Sequence, residues 1–191
     1  MQKFKSNRGF TLVEAMVAIS ILSMAVTGPL VIAQKGIGSA IYARDQITAF
    51  YLAQEAVEYV RNVRDSNRIA GTPWLSQFAS CKEDGSSPST KKCRIDAGYV
   101  DFLNPNGDVN TNAISLCSSG VCQPLLLNTG TNLYGYGSGG DWKPTIFTRT
   151  ISIDDRVSPE KETIVTVTIS WTTKLFTPVK SFTIQEHIFN F

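Results

Sequence analysis

The chain is short of the residues that most enzyme chemistry needs. It has a single histidine, His187, in 191 residues. Its four cysteines, Cys81, Cys93, Cys117 and Cys122, contain no C-x-x-C and leave only His187 to complete a zinc set, so a metal centre is disfavoured. There is no phosphate-binding glycine loop, and no serine or cysteine nucleophile has a base identifiable beside it. The adjacent pair Asp154-Asp155 reads as a charged turn at a strand end, because neighbouring strand residues point to opposite faces. The sequence therefore offers no catalytic, cofactor-binding or metal-binding residues, and the expectation is that it is not an enzyme and uses no cofactor.

Charge of one sign is scarce as well. The net charge is +2, and it falls to −1 if the basic N-terminal residues Lys3, Lys5 and Arg8 are removed. No field remains that could grip nucleic acid. What the chain has instead is a long apolar run. From Phe10 to Ala33 the only charge is Glu14. At about 1.5 Å per residue the run is roughly 36 Å long, enough to cross a hydrocarbon core of about 30 Å.

The run is too long for a secretory signal core and has no small-residue exit after it. Three cations and no acid among residues 1–9 would hold the N-terminus in the cytoplasm. Glu14 is the anomaly, since an isolated carboxylate in a membrane is costly and is by default a functional candidate with a partner to find.

R-G-F-T-L-V-E, residues 8–14, followed by an apolar helix, resembles the leader and N-terminus of type IV pilins and type II secretion pseudopilins. The resemblance implies cleavage between Gly9 and Phe10 by a membrane-embedded prepilin peptidase, then N-methylation of Phe10. It implies that Glu14 pairs with the new terminal amine of a neighbouring subunit. Physically, a buried ammonium and a buried carboxylate are each expensive alone and tolerable together. Glu14 also sits in the first helical turn, where the helix dipole favours negative charge. The implied course is insertion across the inner membrane with the head periplasmic, then entry into a pilus or pseudopilus. The implied partners are other pilin subunits, the peptidase, the inner-membrane assembly machinery and, before assembly, membrane lipid.

Residues 10–68 read as one long helix interrupted at Gly28-Pro29, because Pro29 has no amide to donate to Ala25 and its ring crowds that turn. The resemblance implies that this break lets the helix unwind locally in a filament. A second weak point is expected at Lys35-Gly36-Ile37-Gly38. Beyond it, Ala49, Ala53, Ala56, Val60 and Val63 fall at 4-3-4-3 spacing with Leu52 and Tyr59 beside them, a stripe that would pack on the domain's own sheet. Glu58 and Arg61 lie off that stripe and can pair at i,i+3. A-F-Y-L-A-Q-E-A-V-E-Y-V-R-N-V-R-D, residues 49–65, resembles the helix of minor pilins and of the smaller pseudopilins.

Residues 66–144 are rich in turn formers, with short apolar pieces at Arg94–Phe102, Pro124–Leu127 and Asn132–Tyr136. An even cysteine count in an exported half favours disulfides. Four cysteines allow three pairings, and spacing favours Cys81–Cys93 with Cys117–Cys122. N-P-N-G-D-V-N-T-N, residues 104–112, lacks the ligand spacing of a calcium loop and reads as a turn. Three strands follow, Ile146–Asp154, Thr163–Thr172 and Val179–Phe191, with turn signals at Ser158-Pro159 and Thr177-Pro178, so an antiparallel meander is expected. His187, near the end of the last strand, reads as a surface residue.

The expected architecture is α+β and pilin-like. A leader (1–9), a membrane or filament-core helix (10–34) and an amphipathic helix (35–68) precede a loop-rich and β-sheet head (69–191). The expected function is that of a minor pilin, a structural subunit of a type IV pilus-like filament. The rival readings are a pseudopilin of a type II secretion or competence system, and a membrane-anchored adhesion or binding module that never polymerises.

Overall fold

A computed structural model describes residues 9–83, 91–97, 113–158, 161–173 and 176–191. The leader up to Arg8 and the turn at 104–112 lie outside the described residues. One helix, α1 (Leu12–Ile69), runs through two compact units, Met1–Arg44 and Asp45–Phe191.

In the first unit the helix begins at Thr11, whose hydroxyl accepts the Glu14 amide at 3.2 Å. The expected interruption at Gly28-Pro29 is corrected here, since the helix continues through Pro29. One proline removes a single amide donor, and helical residues on both sides hold the geometry. The same holds at Lys35–Gly38, which is helical throughout. Ser20, Ser23 and Thr27 donate their hydroxyls to the carbonyls of Met16, Ile19 and Ser23, so these three hydroxyls do not ask for water.

In the second unit α1 ends on a left-handed glycine. Gly71 has φ +68°, the Thr72 amide bonds the Asn67 carbonyl, and the Gly71 amide bonds the Arg68 carbonyl. Those two bonds are a Schellman stop. A 3-10 turn (Ser76–Cys81) follows.

Among the described residues eight strands form two sheets: β1 (Cys93–Ile95), β2 (Ile114–Leu116), β3 (Leu126–Asn128), β4 (Tyr134–Gly135), β5 (Trp142–Pro144), β6 (Phe147–Ser158), β7 (Glu162–Thr173) and β8 (Phe176–Phe189). The main sheet has the order β2-β1-β6-β7-β8, and the small one β4-β3-β5. The meander β6-β7-β8 is antiparallel, with Ile151 opposite Val167 and Val167 opposite Ile184. Period-2 patterning divides its faces. Ile151, Ile153, Val165, Val167, Ile169 and Trp171 are buried, while Thr148, Thr150, Ser152, Thr166, Thr168 and Ser170 take the other side. The buried face meets the expected stripe of α1, since Ala49, Leu52, Ala53, Ala56, Tyr59, Val60 and Val63 belong to the same core. Three alanines in that stripe let helix backbone approach sheet closely.

Strand β6 runs past the charged turn expected at Asp154-Asp155. The strip beside it explains why: Lys82 bridges Ile153, the Glu83 amide bonds the Ile153 carbonyl, and Lys82 pairs with Asp155 at 3.0 Å. Just after β4, Gly137 is required because a Cβ there would run into the Trp142 ring of β5.

A charge lies inside this core. Arg149, on the inward face of β6, is 0% exposed. Its guanidinium donates to the Leu52 carbonyl at 3.0 Å, to Glu55 at 2.5 Å and to the Ile95 carbonyl at 2.6 Å. One side chain thus ties α1, β6 and the end of β1 together. Arg149→Ala leaves two carbonyls and a carboxylate without that donor, so a loss of about 3 kcal/mol in unfolding free energy is expected, read from denaturant midpoints, with Arg149→Met losing less.

Tyr59, on the same seam, has its phenol pushed up to about 12 by burial and by the charge of Asp96. Unfolded, it would ionise near 10. The native state therefore holds a proton that the unfolded chain releases. The stability this represents is complete below pH 10 and is lost as pH rises towards 12. Alkaline unfolding in that window is expected to be steeper for the wild type than for Tyr59→Phe.

Candidate assembly site at the helix N-terminus

Gly9 and Phe10 precede the helix, and Phe10 is 77% exposed. Thr11 caps it through the Glu14 amide, and the Thr11 carbonyl accepts the Ala15 amide at 3.1 Å. T-x-x-E is the signature of a capping box, so Thr11 was legible as a cap in the sequence although the leader motif draws attention elsewhere. Its effect is to fix where the helix begins, and hence where Glu14 stands relative to Phe10: third residue of the first turn, near the positive end of the helix dipole. Glu14 is exposed and has no ion-pair partner among the described residues.

Around it the helix surface is apolar and uncovered. Leu12, Val13, Met16, Ile19, Leu22 and Met24 are each more than 60% exposed. The helix holds an 18-residue window of mean hydropathy 2.1, none of it buried by the chain itself, which is long and apolar enough to cross a membrane. A surface of this kind is stable in lipid or against other apolar helices, and not in water. Gly28 and Gly36 present open backbone along it, with nothing within 4 Å of a notional Cβ. Pro29 lies inside the helix next to the first of these.

The remaining candidate residues lie in the head. Cys81 is bonded to Cys93 with Cα atoms 5.7 Å apart, and Cys117 to Cys122 at 4.7 Å. The first fastens the 3-10 turn to β1, and the second closes the turn that follows β2. His187 is an exposed strand residue paired with Glu162 at 2.5 Å. Glu58 and Arg61 form the expected pair at 2.6 Å, and Arg61 also binds Glu186 on β8. Arg149 is the residue that sequence reasoning missed, because it sits within an alternating strand where periodicity alone places it inward and its charge argues outward.

A family model described as the prokaryotic N-terminal methylation motif matches residues 4–28. No curated protein and no solved structure matches the chain. The motif is one that type IV pilins and pseudopilins carry, and its part from Leu12 onward lies on a long N-terminal helix that packs, in the second unit, on antiparallel sheet. The match spans 25 of the 191 residues and supports a likeness to the processed subunits of the type IV pilin and pseudopilin class, on a chain whose helix is long and apolar enough to cross a membrane.

Proposed function

We propose that the chain is a minor pilin, a structural subunit that enters a type IV pilus-like filament through α1. The observation carrying this is the capped helix start: Glu14 stands in the first turn of an apolar helix that its own chain leaves uncovered. Cleavage after Gly9 would create a terminal amine on Phe10, methylated without loss of its positive charge. In the packed filament core that amine of one subunit meets Glu14 of a neighbour, and each supplies the countercharge that the other lacks. The helices exchange lipid contacts for helix contacts at little apolar cost. The likeness of residues 49–65 to the helices of minor pilins and of the smaller pseudopilins supports either of these over a major pilin. A pseudopilin of a secretion or competence machine shares all of this chemistry and differs in where the polymer ends.

Two measurements test the reading. Intact mass of the native protein is expected to show a chain beginning at N-methylated Phe10; an uncut Met1 would remove the proposal. Glu14→Ala is expected to be processed and inserted normally while its recovery in sheared surface fibres falls about tenfold, and normal recovery would defeat the pairing. Retention of the wild type in the periplasm, with none on sheared fibres, would favour the pseudopilin.

A further inference from the structure

β8 is the outermost strand of the main sheet, joined on one side to β7. No strand pairs with its other side among the described residues. The Asn190 amide donates to the Lys161 carbonyl at 2.8 Å, which sets the phase of this antiparallel ladder. The mutually bonded pairs are then Thr163↔Ile188, Val165↔Glu186, Val167↔Ile184 and Ile169↔Phe182. The amides and carbonyls of Ser181, Thr183 and Gln185 consequently point outward. Sheet edges are usually guarded by charge, proline or a covering element. Pro178 and Lys180 stand at one end of this edge and Glu186-His187 at the other, but Ser181–Gln185, S-F-T-I-Q, carries neither charge nor proline.

Beside the open stretch, α1 carries apolar surface that the sheet does not reach. Ile47 is 57% exposed and Tyr51 64%. Phe50 stands edge-on to both Tyr51 and Phe182, with ring centroids 5.8 Å apart in each case. Further along, helix and strand flank a groove lined by Gln54, Val57, Glu58, Arg61, Ile184 and Glu186.

We propose that the β8 edge accepts an extended segment, other than β8 itself, of a neighbouring subunit of the fibre as a sixth strand. The proposal rests on the filament reading above. A row of open amides and carbonyls selects an extended backbone over a helix or lipid, and the overhang of Ile47, Phe50 and Tyr51 selects a segment apolar at alternate positions. A second copy's β8 does not fit. The helix follows β8, from Phe50 beside Phe182 to Arg61 on Glu186 and Arg64 on the Phe189 carbonyl. Two-fold pairing of β8 strands would therefore turn the two helices antiparallel, whereas copies anchored through the same N-terminal segment in one membrane point the same way. A head-to-tail contact keeps them parallel and is the kind that propagates into a helical polymer.

Proline at an outward-facing position tests this, because it removes an amide that pairs with no strand among the described residues. Full-length Thr183→Pro is expected to be processed and folded, yet recovered in sheared fibres about tenfold less than wild type, while Thr183→Val is recovered normally. Independently of any variant, the amides of Ser181, Thr183 and Gln185 are expected to exchange quickly in the detergent-solubilised wild-type chain and slowly in fibres. Fibres holding wild type and Thr183→Pro equally, or fast exchange of those amides in fibres, would overturn the edge proposal and leave the filament reading standing. Fibres that lack even the wild-type chain would sink both.

Discussion

The first unit exposes a helix whose apolar side chains find no cover in their own chain. At roughly 25 cal/mol per Å² of apolar surface, leaving them in water is prohibitive, so the molecule is defined by where that surface goes. Lipid accepts it, and so do other helices of the same kind. Neither destination tolerates unsatisfied polar groups, and the helix is built accordingly. Within the apolar run the hydroxyls of Ser20, Ser23 and Thr27 return to the helix's own carbonyls, and the first turn is closed by Thr11. Glu14 is the one group in the run that these internal bonds do not absorb. On the proposed reading it is the feature that distinguishes a helix bound for a polymer from an ordinary anchor.

The head solves a different problem, which is to hold the second part of the helix rigidly on a sheet. Alanines at 49, 53 and 56 make the approach close, and branched side chains of β6 and β7 fill the seam. Apolar contact of this sort is not directional. Arg149 supplies direction, since its three bonds go to two carbonyls and a carboxylate at fixed places on the helix and on Ile95. The burial of a guanidinium is costly unless its donors are met, so the side chain tolerates one placement of the helix and penalises its neighbours. The disulfides act on the less regular remainder, fastening the stretch between α1 and β6 where strands are only two or three residues long.

Most of this layout was legible because it rests on period and on short-range chemistry. The alanine stripe and the three long strands follow from 3.6- and 2-residue patterns, whereas the turn expected at Thr177-Pro178 is corrected because β8 already begins at Phe176; the cysteine pairings of the structure are those that spacing favours. Where patterns misled, a competing interaction was stronger. Gly28-Pro29 signals a break, but a single missing donor in a long helix costs less than reorganising the turns around it. Asp154-Asp155 signals a turn, but pairing with the Lys82 strip extends β6 through it. Arg149 was hidden because the bonds that justify it come from residues 54 and 97 positions away, beyond any local reading.

Helix contacts and strand contacts also divide the work of assembly. Helices with smooth apolar faces can slide past one another at small cost, because each position offers similar contact. A polymer built on them alone would have a poorly fixed rise. Register demands interactions that are lost on a shift of a few ångströms, and the chain has two candidates at opposite ends of α1. One is the Phe10 amine meeting Glu14, which fixes the helix ends. The other is the open edge of β8, where a slip by one residue would place every side chain of an added strand on the wrong face. Together they would let an oily, forgiving core carry a polymer whose subunits nevertheless repeat at one spacing.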